Sequence, residues 1–296
     1  MSTPARPDER TTSDAPSGPE PAPARRAPKR SHRRGATVLG IQFVLVIAVL
    51  GIWELCARQK WIDTFLYGQP TGVWHQLVDW FEHGTQAGSI WQQFEVTFEE
   101  AVLGFLIGSV AGIVLGVVLG RVQILAAVFG PFIKLFNSIP RIVLAAIFVL
   151  WFGLGMSGKV ATAVVLVFFI VFFNAFQGTR EVDKNLIANA RILGASAWKV
   201  TTQVVLPSAF TWIIASLHVA FGFALIGAVV GELLGAEHGL GLLINQARGS
   251  FNPNGVYAGT ILVAVMALVA ELLLTLLERR LLGWRPSNDR DIAGEL

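Results

Sequence analysis

An all-α, polytopic membrane protein of about six transmembrane helices is the fold class this sequence predicts, and three observations predict it. Of 296 residues, 53% are apolar and 15% charged, with a mean hydropathy of +0.59, where an ordinary soluble domain is roughly a quarter charged. So few charges cannot coat a surface in water, and the apolar excess is expected to face lipid. Uncharged runs long enough to cross a hydrocarbon core of about 30 Å, which takes about 20 helical residues, recur along the chain. Finally, eight of the 23 Lys and Arg fall within the first 34 residues, directly before the first such run. That placement reads as a signal of membrane topology and not of nucleic acid binding. The one cysteine, Cys56, rules out an internal disulfide.

Residues 1–35 hold seven of the thirteen prolines with no apolar periodicity that could bury a core, and they predict a disordered cytoplasmic tail. The tail closes on Arg25, Arg26, Lys29, Arg30, Arg33 and Arg34, and the uncharged run Gly35–Trp53 follows as the first span. No A-x-A site follows that run, so it is expected to remain as an anchor and not to be cleaved. Further spans are Ala101–Gly120, Val122–Gly158, Val160–Thr179, Phe210–Gly231 and Gly255–Leu277. The second of these is too long for one straight helix and carries Pro131 and Pro140 as well as Lys134 and Arg141, so it reads as one broken span. Residues 36–285 thus form the membrane domain, with a cytoplasmic loop at 180–209, and residues 286–296 form a cytoplasmic tail.

Six crossings place both termini on one side. The positive-inside rule agrees, because Arg180, Lys184, Arg191, Lys199, Arg279 and Arg280 then share a side with the basic tail. The opposite side receives a loop from about Ala57 to Glu100, with Arg58 and Lys60 as its fixed cations, and a loop at His238–Asn254 with Arg248 alone.

Some motifs resemble chemistry without its context. Gly153, Gly155 and Gly158 fit G-x-G-x-x-G, and Gly153 to Lys159 fits most of a P-loop, with Val160 in place of the hydroxyl. A phosphate cradle needs a strand before it and a helix after it in a soluble fold, whereas these glycines join two apolar spans. The five histidines, His32, His75, His83, His218 and His238, have no metal-ligand spacing, and no serine sits in a nucleophile elbow. No catalytic residue and no metal site is expected.

Other features carry information. Gly104, Gly108, Gly112, Gly116 and Gly120 recur at every fourth residue and line one ridge of the second span, so that another backbone can approach closely. Packing within the chain is one reading, and a subunit interface or a moving transport path is the other. Glu232 and Glu271 are acids in or at the ends of apolar spans, where an unpaired carboxylate costs roughly a few kcal/mol or more. Each suits either a structural partner or a solute path, and Glu232 could also reach water at the outer end; Asn137, Asn174 and Gln177 are weaker candidates of the same kind. His218 reads as a hydrogen-bonded interior residue.

The loop ANARILGASAWKVTTQVVLP, from Ala188 to Pro207, reads as helix, turn, helix. Leu186, Ile187, Ala190 and Leu193 share one helical face, Gly194 supplies a residue able to turn sharply, and Trp198, Thr201 and Val205 give a second face. Pro207 suits the first turn of the next helix. Here the sequence resembles the permease subunits of bacterial binding-protein-dependent ABC importers, whose loop signature reads E-A-A, three residues, Gly, nine residues, a branched apolar residue, any residue, Leu-Pro. Ala188, Asn189 and Ala190 take the first places, Gly194 and Ala195 follow, and Val204, Leu206 and Pro207 stand at the required intervals. Ala188 replaces the family's usual acid and Asn189 its small apolar residue, so the bonds of that Glu are not expected.

The likeness extends over roughly residues 95 to 285, and is nearest to the subgroup serving nitrate, sulfonate and taurine. It implies a type I, MetI-like importer fold in the bacterial plasma membrane, working as a homodimer. It also implies cytoplasmic ATPase subunits docked on the 188–207 loop, an extracytoplasmic solute-binding protein, and ATP and Mg used by the partner ATPase with no cofactor on this chain. An ion-coupled secondary carrier would instead show inverted repeats and unwound helices at mid-membrane, and no clear repeat is visible. A non-transporting anchor or sensor would use the acids and the loop for protein contacts alone.

Overall fold

The computed structural model describes residues 32–281. The expected tails lie outside the described residues at 1–31 and 286–296, while residues 32–35, expected in the first tail, are helical and open α1. The chain divides into two units, residues 1–49 and 50–296. To the first unit belongs the opening part of α1 (His32–Arg58), and the rest of α1 lies in the second.

The second unit continues with α2 (Thr64–Tyr67), α3 (Pro70–Glu82), α4 (Ile90–Arg121), α5 (Gln123–Ser138), α6 (Leu144–Phe152) and α7 (Met156–Arg180). After them come α8 (Lys184–Ile192), α9 (Ala197–Val200), α10 (Leu206–Leu234), α11 (Leu240–Gly249) and α12 (Pro253–Leu281). Among the described residues, five helices are long and apolar enough to cross a membrane: Gly40–Arg58, Ile90–Arg121, Met156–Arg180, Ala197–Leu234 and Pro253–Leu276. A sixth crossing is the pair Ile124–Phe136 and Arg141–Phe152, bent by 78°. The break falls at Ile139 and Pro140, where the imino nitrogen cannot continue the helical ladder.

Packing fixes how the spans run. Ideal Cβ atoms on Gly108, Gly112, Gly116 and Gly120 would meet Val167, Val171, Ala175 and Thr179 of α7 within 3.0 Å. The partner number rises in step with the glycine number, so α4 and α7 are parallel, and the α5–α6 pair between them must make one net crossing. On α10 the order reverses: Gly231 abuts Lys159, Gly227 abuts Ala163, and Gly178 abuts Trp212, so α10 is antiparallel to α7. A shared core gathers Ile90 and Ala101 of α4, Val167 and Val171 of α7, Phe221 and Leu225 of α10, Leu243 of α11 and Leu262 and Met266 of α12.

The structure corrects the boundaries in three places. The second span starts at Ile90, capped by the Ser89 hydroxyl accepting from the Trp91 amide at 3.2 Å, although Glu95, Glu99 and Glu100 lower the hydropathy there. Within the two predicted loops on the opposite side lie α2, α3 and the first turns of α4, and α11. Finally, α9 does not stop before Pro207. A π-helical turn, Thr201–Val205, carries it into α10, giving one rod from Ala197 to Leu234. A wider turn is one way for a helix to take in a proline, whose ring excludes the carbonyl four residues back.

Candidate functional site

At the end of the bundle where α4 and α7 begin and α10 stops, polar side chains converge in the interior. Gln93, Thr97 and Glu100 lie on one face of α4, in register with the glycine ridge that continues it, and all three are buried. Lys159 of α7 donates to Glu100 Oε1 at 2.8 Å, and both are almost wholly shielded, at 4% and 0% exposure. The Thr97 hydroxyl donates to Glu232 Oε1 at 2.6 Å. Three consecutive amides at the start of α11 complete the cluster. Gly239 N–H donates to Gln93 Oε1 (2.7 Å), Leu240 N–H to Thr97 Oγ1 (2.9 Å) and Gly241 N–H to Glu232 Oε2 (2.6 Å).

The glycines of GELLGAEHGLG make this approach possible. Gly239 has φ +122°, and a Cβ on Gly241 would lie 2.7 Å from Glu232 Cβ, so side chains at either place would lift α11 off the carboxylate. Glu232 is therefore fully buried and does not reach water at the end of its span. Lys159, which closes the apparent P-loop, is instead a partner for a buried acid. A charge at this depth needs such pairing, because removing ions from water costs several kcal/mol each.

The other sequence-singled residues are placed as follows. The glycine ridge, Gly104 to Gly120, packs on α7 within the same chain. Asn174 donates to the Ile170 carbonyl of its own helix at 2.9 Å, and Gln177 to Glu181 at 2.8 Å; the Asn137 side chain lies outside the described residues. Glu271 of α12 is on an open face, where His218 of α10 meets it at 3.1 Å and meets Glu278 at 2.5 Å. No group of three potential metal ligands occurs among the described residues.

At the opposite end, the loop that follows α7 is built on a small core of its own. Val182, Val200 and Val205 are buried there, with Ile187, Ala190, Ala195 and Val204 against them. Asp183 caps α8 by accepting from the Asn185 amide at 2.8 Å, and Ser196 caps α9 by accepting from the Lys199 amide at 3.3 Å. Between them Gly194 turns with φ +80°, the left-handed conformation that favours glycine. Leu193 and Trp198 lie outside this core and stand 86% and 75% exposed, with Ile192 at 82%. Ala188 lies on a neighbouring cleft of about 1060 Å³, whose charged lining is Arg121, Arg180, Lys184 and Arg191 without an acid. Asn189, Leu206 and Pro207 are also exposed.

Residues 108–283 match the family described as the binding-protein-dependent transport system inner membrane component. The chain belongs to that family. It is the multi-pass membrane permease of an ABC importer, and both the 188–207 loop and the glycine ridge from Gly108 onward fall inside the match. Among its relatives is SsuC of Escherichia coli (strain K12), named as an aliphatic sulfonates transport permease, with 31% identity over 82% of this chain and 91% of that protein. RibX of Chloroflexus aurantiacus, named as a riboflavin transport system permease, is 32% identical over 84% of this chain and 91% of its own. A solved amino acid ABC transporter with histidines shares the fold at a TM-score of 0.50 and 20% identity, covering 62% of this chain and 90% of that one.

The permease thus has one unwound span, the feature a secondary carrier would also show, and its family assigns it to binding-protein-dependent import. Gln93, Thr97, Glu100 and Lys159 were missed in the sequence. The available signal was register: Gln93, Thr97 and Glu100 precede Gly104 at helical spacings of three and four.

Proposed function

We propose that this permease forms the solute path of a homodimeric importer, coupled through residues 188–207 to cytoplasmic ATPase subunits that use ATP and Mg. The observation that carries the coupling is the bare apolar knuckle of Ile192, Leu193 and Trp198 around the Gly194 turn, held on its own small core. Water disfavours such a patch and a partner's cleft would bury it. The proposed orientation puts both termini and this loop in the cytoplasm, and an extracytoplasmic solute-binding protein at the α11 end. The chain itself binds no cofactor. Its proposed cargo is a small organic anion of the sulfonate or taurine type, supported by the name of the SsuC relative and by the acid-free charged lining of the cleft beside the loop.

Affinity capture from solubilised membranes tests the coupling. An ABC-type ATPase should accompany the wild type and be lost with Gly194→Val, while membrane insertion is retained; equal recovery with both would refute it. Uptake into vesicles that hold the captured complex and its binding protein tests the cargo. ATP-dependent accumulation of taurine or an alkanesulfonate is expected, and uptake of riboflavin in their place would overturn the anion reading.

A further inference from the structure

We propose that the cleft between α5 and α8 at the loop end holds the headgroup of an anionic phospholipid, with its acyl chains against α5. Two membrane spans end beside this cleft. Arg121 is the last residue of the span Ile90–Arg121 and Arg180 the last of Met156–Arg180. Because α4 and α7 are parallel, both residues stand at one membrane boundary, the depth of lipid headgroups. Lys184 and Arg191 come from α8, two turns apart on one face, and all four cations line the same cleft of about 1060 Å³.

Their charges are not neutralised within the protomer. Among the described residues none of the four forms an ion pair. Arg180 lies over the Phe176 ring, 5.4 Å from its centre, and Arg121 donates to the Ala197 carbonyl at 3.4 Å; both contacts leave a full positive charge. The nearby acids are engaged elsewhere. Glu181 accepts from Gln177 Nε2 and Asp183 from the Asn185 amide, each at 2.8 Å, and neither lines the cleft. Cations of one sign gathered in a cleft draw in anions.

The apolar wall decides the kind of anion. Ile124 and Ala127 line the cleft from α5, Ile124 is 75% exposed, and α5 continues into the bent span as Ile124–Phe136. A small sulfonate shares the charge of a phosphodiester but has no long chain to cover that wall, whereas a phospholipid meets both the cations and the wall. Basic pockets between helices at a membrane surface suit anionic headgroups for this reason. The apolar knuckle is separate, since Ile192, Leu193 and Trp198 do not line the cleft. The inference goes beyond the coupling and cargo readings and rests only on the chain's place in the membrane.

Lipid retention tests it. The permease–ATPase complex is exchanged into detergent containing phosphatidylglycerol and phosphatidylcholine with the same chains, and bound lipid is counted by native mass spectrometry across a titration. Phosphatidylglycerol should bind in preference. Arg121→Gln with Lys184→Gln should weaken it by roughly 25-fold, about fivefold for each cation removed near an anionic headgroup, and Arg121→Lys with Lys184→Arg should keep it. Excess taurine or inorganic phosphate should not displace the lipid. No preference in the wild-type complex, or a preference that survives the glutamine pair, overturns the proposal. Displacement by taurine or phosphate would make the cleft a site for small anions, and loss of the ATPase with the glutamine pair would assign the cations to the subunit contact; either result overturns it as well.

Discussion

At the α11 end of the bundle polar side chains are buried and paired, while at the loop end apolar side chains stand in the open. The same helix, α10, and the rod that extends it belong to both. Its far end is tied through Glu232 to α4 and to the first amides of α11. The near end passes through a π-helical turn into α9, whose Trp198 is exposed. Between them the Gly ridge of α4 holds α7 at backbone distance. The difference teaches where each kind of side chain is affordable. A buried charge network fixes one geometry because its residues are bonded to one another, although Glu100 Oε2 is buried without a hydrogen bond, whereas an uncovered apolar knuckle is disfavoured in water. Under the proposed coupling, the α11 end would serve as the fixed clasp and the loop end would receive the push.

The comparison breaks most visibly at Lys159. Lys159→Ala leaves the Glu100 carboxylate buried without its ammonium partner, and the expected loss is about 3–5 kcal/mol. It should be seen as a lower melting temperature in detergent and a lower yield of monodisperse protein. The double variant Lys159→Met with Glu100→Gln should recover much of the loss, since replacing a buried pair is often neutral. If Lys159→Ala melts like the wild type, the clasp is not structural.

A smaller effect is expected in the ridge. A Cβ on Gly112 would meet Val171 Cβ, Phe168 O and Phe172 N, each at 3.0 Å. Gly112→Ala should therefore cost about 1–3 kcal/mol, typical of overpacking, and Gly112→Lys should prevent assembly, since the ridge has no room and lipid offers no solvation. Normal yield of the lysine variant would show that α4 and α7 can part.

Smaller still is the strain at Gly194. No atom lies within 4 Å of a Cβ there, so the cost of Gly194→Val is conformational, about 1–2 kcal/mol for the left-handed backbone. It is confined to the loop, and ATPase capture should fall while insertion and the melting of the bundle do not. Unchanged capture would mean that the turn is not needed for docking.

How much of this was legible in the sequence follows from the same physics. Hydropathy marks the spans because lipid demands long uncharged helices, and the fourfold glycine spacing marks the ridge because close helices demand small residues. The Gly194 turn was legible too, from a single residue type. The first turns of α4 were not, since Glu95, Glu99 and Glu100 look like a loop to any average over hydropathy, and only a three-dimensional partner, Lys159, shows why Glu100 is inside. The exposure of Trp198 and Leu193 was not legible, because helical spacing shows which residues share a face and not what covers it; the small loop core is filled by Val182, Val200 and Val205, and both side chains stand outside it.

The central claim is that the loop end is built to be covered from outside and the α11 end is not. It is tested most directly by Leu193→Asp combined with Trp198→Ala, measured for thermal unfolding and for ATPase capture in one preparation. Both side chains are exposed, and surface changes of this kind usually alter stability by less than about 0.5 kcal/mol. The expected result is a melting temperature equal to that of the wild type together with loss of the ATPase. Full recovery of the ATPase, or early melting of the bundle, would contradict it.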